Sequence, residues 1–176
     1  GERAQNGCIV DVFEENGTYQ GTGLLSEMSK IRVRIVTRNA NDRLNEAFWS
    51  RKISWAWEHR KTTMGNRTLP GTEPDTNCCR IIFSEADGFP GLIVDRYENV
   101  LVVQVGTVGM ERLRNVICPL LLEVLSADGQ VIDGIYERSD SPSRLKEGLP
   151  QYKGWWIGAS SDENGLLTES SLALPS

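Results

Sequence analysis

The feature that most constrains the fold is a succession of short apolar segments between residues 80 and 137. Three of them have the length and the β-branched content of strands: RIIF at 80–83, GLIVDRY at 91–97 and VLVVQV at 100–105. The third is apolar on both faces, which is typical of a central strand. Residues 109–125 then place apolar side chains at helical spacing, with Pro119 predicting a local defect, and VIDGIYE at 131–137 predicts a last strand. An α+β unit is therefore expected in this half of the chain.

Two further strand-forming segments precede this unit. Residues 8–25 predict a β-hairpin, because an Asn-Gly turn dipeptide separates two arms. Residues 30–38, KIRVRIVTR, alternate between apolar and basic side chains, which is the pattern of a half-buried strand. This strand would have a core face at positions 31, 33 and 35 and an exposed arginine face at Arg32 and Arg34.

A helix is predicted between the two groups of strands, over residues 42–61. Asp42 is expected to cap its N-terminus, because an acceptor side chain there satisfies free backbone N–H groups. Tryptophans at positions 49, 55 and 57 have spacings that suit burial against the rest of the protein, although exposed tryptophan can also stack on RNA bases. Residues 62–77 are rich in turn-forming residues and predict a linker.

Composition narrows the classes of protein that this chain resembles. No apolar run approaches the roughly 18 residues of a membrane helix, and the N-terminal GERAQNG lacks the apolar segment of a secretory signal. The four cysteines show no metal-ligand spacing, which favours a reduced, cytoplasmic protein. The net charge is −5, so any contact with nucleic acid must rest on a local basic patch.

Several segments resemble one protein family. RIIFSEADGFPGLIVDRYENVLVVQV, MERLR and IYERSDSPSRLKEGL together resemble the bacterial methyltransferases that use S-adenosylmethionine to modify carbon 5 of a cytosine in large-subunit ribosomal RNA. The match is to their central ββαβ module, called EEHEB. VDVFEENGTYQGTGLLSEMSKIRVRIVTR is similar to the later strands of the preceding PUA barrel, and AFWSRKISWAWEHR to the connecting helix. The resemblance extends over nearly all of residues 7–158.

The resemblance implies a fold class and a division of the chain. The fold is expected to be α+β, with a partial PUA-like β-barrel at 1–40, a connecting helix and linker at 41–77 and an EEHEB-like ββαβ module at 78–158. Residues 159–176 would be a tail or the start of a methyltransferase domain. Because the first PUA strands and the catalytic domain of the family find no counterpart, the chain is interpreted as a fragment of such an enzyme.

The function implied by the resemblance is the RNA-recognition and positioning portion of a ribosomal RNA cytosine-5 methyltransferase, without catalysis by itself. S-adenosylmethionine and the catalytic cysteine would belong to the parent enzyme, so no catalytic, cofactor-binding or metal-ligating residue is expected here. Ribosomal RNA is the expected partner, and no membrane contact is expected. The formation of a homodimer is left as an alternative. The alternative is a stand-alone RNA-binding or self-association module with no enzymatic parent.

Six cations are candidates for RNA contact, in two groups: Lys30, Arg32, Arg34 and Arg38 on or beside the arginine face, and Arg138 and Arg144 around IYERSD. The first group is favoured because guanidinium forks suit phosphate oxygens. For the second, a role at the junction with a catalytic domain is equally open. The structural alternative for the arginine face is a solvated strand surface paired with the acids of the chain.

Three other features have both a chemical and a structural interpretation. The acidic residues Glu85, Asp87 and Asp95 lie in or beside the turn ADGFPG, where they cap the turn or pair with Arg80 and Arg96, or else serve metal or acid–base chemistry. Cys118 is a packed core thiol or a nucleophile, and its apolar surroundings favour the core. The single histidine, His59, is expected to be a surface residue or a cation near the helix end.

Overall fold

The computed structural model describes residues 4–65, 69, 71–72, 75–156, 160–161 and 167–168. Its N-terminal unit is a three-stranded antiparallel sheet of β1 (Ile9–Phe13), β2 (Tyr19–Leu25) and β3 (Val33–Thr37), in that order. The predicted hairpin and the strand that follows it are therefore confirmed.

A five-stranded sheet forms the larger unit. Its strands are β4 (Cys78–Phe83), β5 (Leu92–Tyr97), β6 (Val100–Val105), β7 (Gly134–Ser139) and β8 (Tyr152–Trp155), hydrogen-bonded in sequence order. All neighbours are antiparallel except β6 and β7, which are parallel and connected through a helix. This arrangement confirms the α+β prediction and the central position of β6.

Two long helices cover one face of this sheet: α1 (Glu46–Gly65) and α2 (Val108–Ala127). The side chains of β6 alternate, with Leu101, Val103 and Val105 buried and the residues between them half-buried. The opposite face of the sheet is thus only partly covered by the described residues, although the sequence predicted cover on both sides. The helix α2 continues through Pro119.

The helix α1 differs from its prediction in its start and in one tryptophan. It begins at Glu46, where the Asn45 side chain accepts a hydrogen bond from the Phe48 backbone N–H at 3.0 Å. Asp42 instead accepts a hydrogen bond from the Thr37 hydroxyl at 2.6 Å, so the predicted Asp42 cap was wrong. Trp49 and Trp57 are buried as predicted, whereas the Trp55 side chain is 62% exposed and its predicted burial was wrong.

The strand β3 presents the opposite face to the core from the one predicted. Val36 is buried, and Arg34 lies on the same side of the strand with its side chain only 16% exposed. Ile31, which was assigned to the core face, is 59% exposed. Alternation therefore identified the strand correctly but not which of its two faces packs inward.

Shorter elements complete the fold. A 3-10 turn, Ser84–Asp87, precedes β5, and a one-turn helix, α3 (Ser143–Lys146), follows β7. β9 (Ser160–Ser161) pairs with β10 (Leu167–Thr168), and the rest of the predicted tail at 159–176 lies outside the described residues. Among the described residues, no helix is long and apolar enough to cross a membrane.

Candidate nucleic-acid interface

A cleft of about 380 Å³ lies where the two sheets meet. The parallel strands β6 and β7 end at the same edge of the five-stranded sheet, and their ends form one wall of the cleft together with α3. The end of β3 and the 3-10 turn form the other wall. The cations and hydroxyls that line this cleft are Arg34, Arg138, Lys146, Ser29, Ser84, Thr107, Ser139, Ser141 and Ser143.

Glu147 joins the walls of the cleft. It is 5% exposed, and one carboxylate oxygen accepts a hydrogen bond from Arg34 at 2.9 Å. The other oxygen accepts one from the Ser26 hydroxyl at 2.6 Å and faces the Val108 backbone N–H at 3.5 Å. One carboxylate thereby ties the N-terminal unit to the first turn of α2. Much of the charge of Arg34 is compensated inside the protein, which leaves only its outer edge to the cleft.

Arg144 supports the floor of the cleft rather than its surface. Its side chain is 1% exposed, and its guanidinium donates to the Val105 carbonyl, to the Pro150 carbonyl at 2.8 Å and to Glu111 at 2.9 Å. A buried guanidinium with these partners is unable to reach a ligand in solvent. The prediction of Arg144 as an RNA-contacting residue was therefore wrong, and the side chain fixes α3 against β6 and α2.

Arg138 is the most accessible of the predicted cations in the cleft. Its side chain is 62% exposed, and its Nε lies 3.6 Å from Asp140. Lys153 donates a hydrogen bond to the same carboxylate at 2.7 Å and thereby lowers the pKa of Asp140. Because Lys153 already compensates Asp140, the guanidinium of Arg138 is available to an external anion.

The remaining candidates border the cleft or lie away from it. Lys30 and Arg32 are exposed next to Ser29, and Arg32 donates to the Glu27 carbonyl at 2.9 Å. Arg38 lies beyond the far end of β3, where it donates to the Gln20 carbonyl at 3.1 Å. The structure thus brings Arg34 and Arg138 together, although the sequence placed them in separate groups.

Lys146 lines the same cleft and was not predicted. It is exposed on α3, a helix of four residues that is too short for its periodicity to be recognised. The only signal was its position in the segment SPSRLKEGL, just after the IYERSD motif.

The acidic turn is mainly structural. Asp87 accepts hydrogen bonds from Arg60 and from the Phe83 backbone N–H, and Asp95 accepts two from Arg80, at 2.7 and 3.0 Å. The predicted pairing with Arg80 is therefore confirmed. Glu85 is different, because its side chain is 65% exposed and lines the cleft 3.9 Å from the Arg34 Nε.

Arg96, the other partner predicted for these acids, binds elsewhere. Its guanidinium donates to the Glu98 carbonyl at 2.8 Å and to the Gln130 side chain at 2.7 Å. Within the part of the chain that the structure describes, no group of three or more histidine, cysteine and acidic side chains has the arrangement of a metal site.

Cys118 is a core thiol, as its sequence context predicted. It is 2% exposed, and burial raises the pKa of its thiol to about 12. A thiol with this pKa carries almost no thiolate near neutral pH, and the thiolate is the nucleophilic form. Cys118 therefore lacks the properties of a methyltransferase nucleophile.

The turn between β6 and α2 is where a nucleotide-like cofactor would be sought, because it joins a strand to a helix through Gly106. The first turn of α2 is already occupied by the Glu147 carboxylate. The Cβ of an alanine at Gly109 would lie 2.6 Å from the Leu24 Cβ, so the helix start is packed against β2. These residues do not fit S-adenosylmethionine.

Comparison with known proteins connects this architecture to a family. A family model for a PUA-like domain matches residues 1–38. The ribosomal RNA large subunit methyltransferase I of Alteromonas mediterranea is 38% identical over 153 residues, which cover 86% of this chain and 35% of the relative. The chain is homologous to the ribosomal RNA large-subunit methyltransferases. The proteins of the same name from Shewanella amazonensis and Aliivibrio fischeri are 35% and 30% identical to this chain, over 84% and 98% of its length.

The chain spans between 34% and 40% of the length of these methyltransferases. Solved structures share its fold. A protein from Streptococcus mutans, described as a candidate SAM-dependent methyltransferase, superposes with a TM-score of 0.67 at 17% identity, over 92% of this chain and 38% of its own. A second candidate methyltransferase, solved in complex with S-adenosylhomocysteine, has a TM-score of 0.62 at 18% identity, over 77% of this chain and 32% of its own. At these identities the likeness concerns the fold alone.

Proposed function

We propose that this chain is the RNA-recognition and positioning portion of a ribosomal RNA cytosine-5 methyltransferase and that it has no catalytic activity by itself. In this proposal residues 1–40 act as the PUA-like part and residues 78–158 as the EEHEB-like module. S-adenosylmethionine would be bound by another part of the longer, cytoplasmic enzyme. Homology to ribosomal RNA methyltransferases supports the class of substrate.

The observation that carries the proposal is that Arg138, Lys146 and the outer edge of Arg34 line the same cleft, on its two opposite walls. Guanidinium and ammonium groups with neighbouring serine hydroxyls are the donors that proteins use for RNA phosphates. The chain as a whole carries a net charge of −5, whereas the cleft has Arg34, Arg138 and Lys146 against the carboxylates of Glu85 and Glu147. Its lining therefore has a small positive excess, because Glu147 already compensates much of Arg34.

The test is fluorescence anisotropy with a labelled single-stranded RNA of about a dozen nucleotides, a length on the scale of known single-strand site sizes. Arg138→Ala combined with Lys146→Ala should weaken binding and lower the salt slope by about 1.4, because each lost phosphate contact removes about 0.7. Arg43→Ala is the matched control, since Arg43 is exposed but does not line this cleft. Equal affinity and slope in the double variant and the control would refute the proposal.

Self-association is a second candidate, favoured by the partly covered face of the five-stranded sheet. Phe83, Tyr97 and Trp155 are 49%, 56% and 41% exposed there. Light scattering over a range of concentrations measures it directly. A dimer that Tyr97→Glu abolishes would support this use of the face, and a monomer at all concentrations would exclude it.

A further inference from the structure

A second cavity of about 380 Å³ lies beside the cleft and shares Glu85 with it. We call it the indole pocket. One wall is the outer surface of α1, with Lys52, Trp55 and His59, and the other is the 3-10 turn that contains Glu85. The turn therefore separates two neighbouring cavities, one rich in cations and the other containing an aromatic ring.

Trp55 is not required for the packing of α1. The two other tryptophans of this helix, Trp49 and Trp57, are 0% and 1% exposed, whereas Trp55 is 62% exposed. Its ring already lies against a planar cation, because the Arg51 guanidinium carbon is 5.4 Å from its centroid. An indole that stays accessible at the mouth of a pocket is suited to stacking on a flat ligand.

Lys52 lies at the base of the pocket without an acceptor. Its Nζ is 5.7 Å and 5.8 Å from the ring centroids of Phe48 and Phe89, and no hydrogen bond or ion pair to it occurs among the described residues. Burial lowers the pKa of this lysine, while the charges of Asp42 and Asp87 oppose that effect. A half-buried ammonium without an acceptor gains free energy when a ligand supplies an oxygen or a ring nitrogen.

Glu85 supplies the complementary group. Its carboxylate accepts a hydrogen bond from the Ser84 hydroxyl and has further lone pairs toward solvent. Carboxylates accept hydrogen bonds from the amino groups of bases. The pocket thus combines an aromatic surface, a donor and an acceptor, which are the elements that recognise one unstacked base of a single strand.

We propose that the indole pocket binds one unstacked nucleobase of a single-stranded RNA whose phosphates lie in the cleft. The base stacks on Trp55, Lys52 donates to one of its oxygen or ring nitrogen atoms, and Glu85 accepts a hydrogen bond from its amino or imino group. This inference rests on the proposed RNA-binding function and adds to it the site of a base contact.

The test compares Trp55→Ala, Trp55→Phe and Trp155→Ala in the same anisotropy assay. Trp155 is an indole of comparable accessibility, 41% exposed, that lines neither cavity. Trp55→Ala should weaken binding about tenfold, since stacking on an aromatic side chain contributes on this scale. Trp55→Phe should retain most of the affinity, and Trp155→Ala should match the wild type.

The salt slope separates the base contact from the phosphate contacts. Stacking releases no counterions, so Trp55→Ala should leave the slope unchanged, whereas the cleft variants lower it. Wild-type affinity for Trp55→Ala, or a lowered slope, would overturn the base-binding proposal while leaving RNA binding by the cleft intact.

A wild-type chain that binds no RNA would refute the proposed function. Binding of a base to the indole pocket is then tested with a mononucleotide. Cytidine monophosphate at millimolar concentration should quench tryptophan fluorescence in the wild type and not in Trp55→Ala. Equal responses of the two proteins would overturn the inference.

Discussion

The Glu147 carboxylate accepts a hydrogen bond from Arg34 at 2.9 Å and thereby joins the end of α3 to β3. Both side chains are largely withdrawn from solvent, with 6% and 16% of their surfaces exposed. The same carboxylate also accepts a hydrogen bond from the Ser26 hydroxyl. Glu147 alone therefore makes two hydrogen bonds that connect the N-terminal unit with the larger unit. The shape of the cleft depends on this connection.

Replacing Glu147 with glutamine should destabilise the protein. Arg34 would keep its charge in a half-buried position without a carboxylate, and we expect a loss of about 2 kcal/mol in the free energy of unfolding. Urea denaturation measures it, with Glu123→Gln as the control, because Glu123 is an exposed acid on α2. Equal stability of the two variants would show that the Arg34–Glu147 pair contributes no net stability.

The close contact of Gly109 with Leu24 should make Gly109 intolerant of a side chain. A Cβ at this position would lie 2.6 Å from the Leu24 Cβ and 2.9 Å from its Cδ1. Gly109→Ala should destabilise by about 1–3 kcal/mol through overpacking, although alanine favours helix by about 1 kcal/mol.

The double variant with Leu24→Ala tests the cause of that loss. Removing most of the leucine side chain makes room, so the combined loss should be smaller than the sum of the two single losses. Additive losses in urea denaturation would place the effect of Gly109→Ala elsewhere than at this contact.

Cys118 should resist alkylation in the folded protein. Its thiol has a pKa of about 12 and is 2% exposed, whereas Cys78 is exposed at the start of β4. Iodoacetamide at about pH 8, near the ordinary pKa of a thiol, should label Cys78 and leave Cys118 unmodified until denaturant is added. Peptide mass spectrometry reads the sites, and rapid native labelling of Cys118 would contradict its place in the core.

The interaction of Asp128 with α1 should contribute stability only above acidic pH. Lys61 donates to this carboxylate at 2.7 Å and Trp57 at 2.8 Å, and both hydrogen bonds lower the pKa of Asp128. Because the folded pKa lies below the unfolded value of about 3.9, the contribution is complete above that value and disappears as the pH falls through the folded pKa.

Asp128→Asn isolates this contribution. The variant should lose less than about 1 kcal/mol at pH 7, since the pair is accessible to solvent and screened. At about pH 2, below the reference carboxyl range, the difference in stability between wild type and variant should be smaller than at pH 7. Urea denaturation at both pH values checks this, and an undiminished difference in acid would mean that the charge of Asp128 is not the cause.

Much of the fold was predictable because its long elements have strong local periodicity. The strands β4 to β6 carry apolar runs and the helix α2 places apolar side chains at helical spacing, and such local patterns indicate the type of an element. The short α3 and β8 were missed, since four residues contain too little periodicity. The start of α1 was misplaced because Asp42 and Asn45 are both capable caps, and only the fold decides between them.

The candidate site was predictable in its chemistry and not in its assembly. The sequence alone identified the basic residues and a strand with alternating character, because side-chain type and period are local properties. Only the tertiary structure decided that Arg34 turns inward to Glu147, that Arg144 is buried and that Arg138 and Lys146 face the same cleft. The physical reason is that a strand has two equivalent faces until another unit packs on one of them, and the partner of a buried charge lies far away in sequence.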